Sequence, residues 1–232
     1  MTTTTDTNTE FTDTVNRHLS AITAAAEFTD PDLKPEAAQR HRMEGARTAR
    51  ESLREHIVSL PDTGGDPRDG ALDDLAPTTA DSVAVLGNER DTVRALLDSG
   101  QNLARLIDRA TETRAAAIYA HRETLALGSS DPEAAAEEIA VRVFNRLAEL
   151  GAPGVTEAAE AHAAWQAEHA RRDVLLGLVE GGVSTAALTV LYRSSPEEYA
   201  AIHGIHAAAD LIRRSARDAR DLDQVELSAR AS

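Results

Sequence analysis

Apolar residues recur at intervals of three and four positions in one segment of the chain after another. Phe11, Val15 and Leu19 begin the series, and Ile139 and Val143 repeat the spacing much later. A helix has 3.6 residues per turn, so this spacing gathers apolar side chains into one stripe. Proline and glycine separate the striped segments, and these residues commonly delimit helices. The pattern therefore predicts an all-α fold.

Short loops between successive helices favour antiparallel neighbours. We expect an antiparallel long-helix bundle, coiled-coil-like in the last part of 81–127, that ends in a C-terminal helix-turn-helix-like hairpin. Gly87 and Gly100 are candidate breaks or kinks within 81–127. Residues 1–8 are Thr-rich and are predicted to be disordered. The predicted segments are an N-terminal helical hairpin (1–60), an acidic Gly/Pro linker (61–80), a long-helix bundle (81–171), a helix-turn-helix-like module (172–214) and a charged tail (215–232).

Three further expectations concern individual residues and the tail. The second helix carries a mixed Arg/Glu face that includes Arg50, and this face should lie in solvent. Trp165, the only tryptophan, should be a packing anchor on its helix. The mixed charges of residues 215–232 predict a tail that frays.

Composition limits the classes of partner. The 232 residues carry a net charge of −15, which disfavours general affinity for nucleic acids or anionic membranes and suits a basic protein partner. Aromatic residues make up only 3% of the chain, so its Ala-lined helices bury little area each and self-association is expected. The chain has no cysteine, and its start lacks the basic and apolar regions of a signal peptide; we expect a cytoplasmic protein.

Local signals are densest between Arg172 and Ile212. An apolar run ends at Gly181-Gly182, where a left-handed backbone can close a helix. Ser184 can cap a short second helix that places Leu188 and Leu191 on one face. Ser195-Pro196-Glu197-Glu198 has the form of a capping box and predicts a third helix that continues to Ile212.

This pattern resembles the helix-turn-helix modules of bacterial regulators, including the sigma-factor region-4-like kind, over residues 172–206. The matching positions are Gly182-Val183-Ser184, Leu188 and Leu191 of the second helix, Ser195, Tyr199 and Ile202. Thr189, Arg193 and Ser194 depart from the family pattern around the turn. The resemblance implies DNA binding. The candidate phosphate-binding residues are Arg171, Arg172, Arg193, Arg213, Arg214 and Arg217.

Two carboxylates conflict with DNA reading. Glu197 and Glu198 stand at the start of the would-be recognition helix, where they would repel phosphate. A plain capped helical hairpin that serves packing therefore stays open as an alternative, as does docking of a protein partner.

Histidines supply the one candidate metal site. His203, His206 and Asp210 lie three and four positions apart on the predicted third helix, and two His with one carboxylate can bind iron or zinc. The spacing is not the HExxH of zinc proteases, and the sequence contains no GxGxxG, P-loop, GxSxG or CxxC motif. We expect no cofactor and no enzymatic activity, with a metal-dependent helical enzyme as the weakest of the alternatives.

The expected function is a non-enzymatic helical interaction protein that self-associates and docks DNA or a basic protein through residues 172–214. A second possibility is a structural or assembly protein of a phage or other particle, such as a scaffolding, connector or capsid-associated component. Acidic charge, Ala-rich rods and a Thr-rich start are its sequence features.

Overall fold

A computed structural model describes residues 4–230, with side-chain environments from Thr9 onward, and this range is helical without any strand. None of its helices is both long and apolar enough to cross a lipid bilayer. The helices are α1 (Thr4–Glu27), α2 (Pro35–Ser59), α3 (Pro67–Asp73), α4 (Ala80–Asp98), α5 (Leu103–Asp108), α6 (Glu112–Ala120), α7 (Arg122–Ala126), α8 (Pro132–Glu149), α9 (Val155–Glu180), α10 (Thr185–Ser194), α11 (Pro196–Ala201), α12 (Gly204–Ala207) and α13 (Ala209–Arg230). The all-α prediction is confirmed.

The helix α1 begins earlier than the sequence pattern indicates. It starts at Thr4, inside the segment 1–8 that was expected to be disordered. Residues 1–3 of that segment lie outside the described range.

Contacts divide the chain into two compact units. The first unit combines the residues up to Thr63 with those from Gln166 onward, and the second unit is Gly64–Trp165. The boundary between Trp165 and Gln166 falls within α9. The five-segment organisation drawn from local pattern stays a prediction, although its linker contains the short helix α3, in which Leu72 is buried.

The core of the first unit forms where α1, α2 and α13 pack against one another. Val15 and Ile22 of α1 are completely buried, and Leu53 of α2 and Leu178 of α9 join the same cluster. The sequence stripes on α1 and α2 thus mark the faces that pack. Each buried Leu, Ile or Val side chain contributes about 1.5–3 kcal/mol of transfer free energy.

Arg50 is an exception to the predicted solvent face of α2, because it is buried in the first unit. Its Nε donates to the carbonyl of Val179 at 2.7 Å, and its Nη1 donates to that of Ala216 at 3.5 Å. The carbonyl of Val179 lies near the end of α9, and that of Ala216 lies on α13. The spacing of residues within α2 cannot indicate these partners. The expectation of a solvated Arg50 was wrong.

The helix α13 also differs from its sequence expectation, since it remains helical to Arg230 instead of fraying after residue 214. Ser215, Ala216, Ala219 and Leu222 are buried along one of its faces. Arg47 of α2 pairs with Glu226 at 2.8 Å. Packing against α1 and α2 therefore orders a segment whose composition alone is that of a tail.

In the second unit, α8 packs against α3, α5, α6 and α7. Its buried face contains Ile139, Val143, Phe144 and Leu147. The stripe expected from sequence was Ile139, Val143, Leu147 and Leu150, and of these only Leu150, just past the end of the helix, is half-buried. Asp131 begins α8 by accepting a hydrogen bond from the backbone N–H of Ala134 at 3.1 Å.

The segment 81–127, expected to be helical almost throughout and to end in a coiled-coil-like rod, consists of four helices, α4 to α7. The candidate break at Gly100 is confirmed, and the rod in the last part is not formed. Gly100 adopts a φ of 89° just after α4, a left-handed conformation that closes the helix. Asn102 and Thr111 then cap α5 and α6 by accepting from the backbone N–H groups of Arg105 and Arg114. The breaks before α5 and before α6 therefore have a local chemical cause, whereas α7 begins after His121 without a side-chain cap. Gly87 lies inside α4 without ending it.

A polar cluster in the second unit surrounds Asp66. Its carboxylate caps α3 through the N–H of Arg68 at 2.9 Å and contacts Nδ1 of His162 at 2.8 Å. Burial alone would raise the pKa of Asp66, but the side-chain and backbone bonds from Arg68, aided by His162, hold it below its usual value. Trp165 stacks on His162 with ring centroids 5.6 Å apart and donates to the carbonyl of Gly64. The half-buried indole therefore packs against the polar cluster around Asp66.

Candidate functional site

The segment with the densest sequence signals begins where α9 ends. Gly181 has a φ of 89°, and the N–H groups of Gly181 and Gly182 both donate to the carbonyl of Gly177 at 2.9 Å. A Cβ at Gly181 would lie 2.6 Å from that of Ala216 on α13. Glycine is therefore required both by the backbone conformation and by the close approach of α13. The predicted helix stop is confirmed.

The helix α10 follows its sequence prediction closely. Ser184 accepts from the N–H of Ala187 at 3.3 Å, which satisfies one of the free donors at the helix start. Ala187, Leu188 and Leu191 are buried in the first unit. The opposite face, which includes Tyr192 and Arg193, is exposed.

The predicted third helix is interrupted twice. It consists of α11, α12 and the start of α13, with breaks at 202–203 and at Ala208. The N–H of Ile202 donates to both Glu198 and Tyr199, a bifurcated arrangement that tightens the last turn of α11. Gly204 follows directly, and glycine is a poor helix former. One continuous helix to Ile212 was therefore the wrong expectation, although Ile202, Ile205 and Ile212 are all buried in the core of the first unit.

The start of α11 also departs from the capping box. Pro196 occupies the first helical turn as predicted, but Ser195 makes no side-chain bond to the helix backbone. Glu198 turns inward and is only 3% exposed. The expected pair of exposed carboxylates is thus reduced to Glu197.

Glu198 is buried because it pairs with Arg171 of α9. Nε of Arg171 donates to both carboxylate oxygens, at 3.0 and 3.1 Å, and its Nη1 donates to Glu168. Burial raises the pKa of Glu198, while the bonds from Arg171 and Ser195 oppose that rise. This buried ion pair connects α11 to α9.

Three rings form a row on the surface of this segment, and we call Tyr192, Tyr199 and His206 the aromatic row. The rings of Tyr192 and Tyr199 meet edge to face with centroids 5.3 Å apart. Tyr199 meets His206 at 6.4 Å in the same manner, with its hydroxyl 3.4 Å from Nε2. Tyr192 is 60% exposed although it is held by this packing. A chain with only 3% aromatic residues thus places two of its three tyrosines together at one surface.

Sequence reasoning missed the aromatic row. Its members are seven positions apart, which is a helical spacing, but the turn at Ser195 and Pro196 interrupts any single helix between the first two. The uniform spacing was a usable signal. It could not by itself indicate that three separate helices would bring the rings together.

The six arginines proposed to contact phosphate occupy different environments. Arg193, Arg213, Arg214 and Arg217 are exposed, Arg172 is half-buried and Arg171 is buried. Arg213 pairs with Asp210 at 2.5 Å. The four exposed residues lie on α10 and α13, so α11, the would-be recognition helix, supplies none of them.

The predicted metal ligands do not lie on one helix. His203 follows α11, His206 is on α12 and Asp210 is on α13, where it pairs with Arg213. Within residues 9–230 no group of three His, Asp or Glu side chains is arranged to hold a metal ion. The breaks at Ile202 and Ala208 explain this, because spacings of three and four place residues on one face only within one helix.

No protein family, no curated protein and no solved structure matches this chain.

Proposed function

We propose that the chain is a non-enzymatic helical interaction protein whose aromatic row docks a protein partner. The observation that carries the proposal is the exposed ring of Tyr192, packed edge to face against Tyr199. Tyrosine is enriched among the residues that dominate interface energies, because it buries a large area at little entropic cost. A ring that is already held in place loses still less entropy when a partner covers it.

The surroundings of the aromatic row favour protein over DNA as the partner. The helix α11 is six residues long and exposes Glu197 in its first turn, where a DNA-reading helix presents donors to bases and phosphates. Arg171, one of the phosphate candidates, is engaged with Glu198 and Glu168 inside the first unit. A net charge of −15 further favours a partner with a basic surface.

DNA binding has one supporting observation and remains the second candidate. Arg193, Arg213, Arg214 and Arg217 expose four guanidinium groups around the same segment. Phosphate contacts of this kind would give binding that weakens steeply with salt. A gel shift at low salt that Arg193→Ala abolishes would favour DNA.

A particle-assembly role is the third candidate, supported by exposed apolar side chains in the first unit. Val58 of α2 is 81% exposed, and Val225 and Leu227 near the end of α13 are also exposed. Self-association would cover such residues. Light scattering that finds large assemblies of the purified chain would favour this role.

Site-specific photo-crosslinking separates the candidates. A photoreactive residue replaces Tyr192 in the full chain within cells that naturally produce it, and Val83 of α4, exposed in the second unit, serves as the matched control position. We expect one discrete protein adduct from position 192 and not from position 83. Adducts to nucleic acid or to a second copy of the chain would support the other candidates, and no adduct specific to 192 would overturn the proposal.

A further inference from the structure

The first unit contains a cavity of about 400 Å³ apart from the aromatic row. One wall is apolar and consists of Phe11, Leu60, Pro61 and Leu175. Arg172 lies at the same cavity. Small-molecule sites have volumes of about 300–1,000 Å³, are mostly apolar and carry a few polar groups that orient the ligand. This cavity has that size and that composition.

The charged groups around the cavity differ in how far solvent or protein partners already compensate their charge. Glu10 and Asp62 are exposed, so their carboxylates are accessible to solvent. Arg171 is buried, but Glu198 and Glu168 neutralise it. Water and protein partners thus already satisfy these three groups.

Arg172 is the group that remains. It is half-buried, and its hydrogen bond is one long contact from Nη1 to the carbonyl of Pro61 at 3.5 Å. Within residues 9–230 it forms no ion pair. A guanidinium has five N–H donors in a planar fork that fits a carboxylate, so most of its donors have no protein acceptor among the described residues.

We propose that this cavity binds a small apolar monocarboxylate. The hydrocarbon part lies against Phe11, Leu60 and Leu175, and the carboxylate accepts hydrogen bonds from the guanidinium of Arg172. His56, half-buried at the same cavity with Nε2 3.4 Å from the hydroxyl of Thr14, stands beside the ligand as a second polar group. Charge-assisted bonds to a partly desolvated arginine give the carboxylate a clear advantage over a neutral or cationic head group.

The test is calorimetric titration of the full chain with decanoate below its micelle concentration, alongside decanol and decylamine. We expect saturable binding of decanoate and weaker binding of the other two. Arg172→Gln should weaken decanoate binding by about tenfold or more, which corresponds to the loss of a hydrogen bond to a charged group. Arg94→Gln, a change of the same type at an exposed position of α4 in the second unit, should leave the binding unchanged.

Three results would overturn the proposal. They are no binding of decanoate to the unmodified chain, equal or tighter binding of decanol or decylamine, and unaltered decanoate binding by a folded Arg172→Gln variant. Circular dichroism of each variant confirms that it is folded. A variant with Leu175→Ala tests the apolar wall separately, since it should weaken decanoate and decanol alike.

Discussion

At the residue scale, the most unusual side chain is His18 of α1. It is 5% exposed in the core of the first unit, and neither ring nitrogen forms a hydrogen bond of normal geometry within residues 9–230. Burial lowers the pKa of His18; the neighbouring backbone of Ala49 counters part of that shift, and the positive charge of Arg50 adds to it. The fold therefore favours the neutral form of this imidazole.

His18 should make the stability of the first unit depend on pH. An unfolded histidine has a pKa of about 6.5, and the folded value is lower, so no stability is lost above that pH. As the pH falls below about 6.5, the unfolded chain takes up a proton that the folded chain does not, and the free energy of unfolding falls by up to about 1.4 kcal/mol per pH unit. Urea titrations at pH values from about 7.5 to about 5, on either side of the unfolded pKa of about 6.5, measure this loss. His18→Leu should remove most of this slope, whereas His203→Gln, a change at an exposed position, should keep it.

The buried pair of Arg171 and Glu198 yields a second prediction. Arg171→Met leaves a carboxylate unpaired at a buried position, which costs about 3–5 kcal/mol of unfolding free energy. The double variant with Glu198→Leu should recover much of this loss, because neither charge then remains. Breaking the exposed pair of Arg213 and Asp210 by Arg213→Gln should cost less than about 1 kcal/mol. Equal losses at the buried and exposed pairs would contradict the burial of Glu198.

At the scale of the helices, local chemistry decides where each element begins and ends. Gly181 and Ser184 act within a few residues of their own position, so the end of α9 and the start of α10 could be predicted from the sequence. Asn102 and Thr111 also act locally, so the helix starts that they cap could have been predicted from the sequence. The apolar period around them instead indicated an almost continuous helix. By contrast, the inward turn of Glu198 depends on Arg171, 27 positions away, and no local rule indicates it.

The junction of α9 and α10 provides a test with an adjacent control. Gly181→Ala places a Cβ on a left-handed backbone, which costs about 1–2 kcal/mol, and also 2.6 Å from the Cβ of Ala216, which forces α13 to shift. Gly182→Ala meets no atom within 4 Å and should change the free energy of unfolding by less than about 1 kcal/mol. Chemical denaturation of the two variants makes the comparison. A smaller loss at 181 than at 182 would contradict the close approach of α13.

At the scale of the whole molecule, the first unit is discontinuous in sequence, since residues 64–165 separate its two parts. The apolar stripes predicted the helices but not this arrangement, because a stripe shows that a helix buries one face and does not identify its partner. The contacts of α2 with α13 join positions well over a hundred residues apart. Only the structure shows that α13 packs against α1 and α2.

A chain cut after Trp165 should keep the second unit and lose the first. Its residues 64–165 retain their own core around α8, whereas α1 and α2 lose the apolar faces of α9 and α13. Hydrogen exchange followed by mass spectrometry should show protection in α8 and rapid exchange in α1 and α2. Strong protection of α1 and α2 in this fragment would show that they form a stable pair alone.

The discontinuity of the first unit also affects when its parts can fold during translation. Chains emerge from the N-terminus at about 5–20 residues per second, and domains fold as they are completed. Val15, Ile22 and Leu53 in the first two helices therefore lack their partners on α9 and α13 until residues 166–230 have been translated. During that interval the nascent chain offers an apolar surface that a holding chaperone can shield, and premature termination would release a product in which that surface never closes.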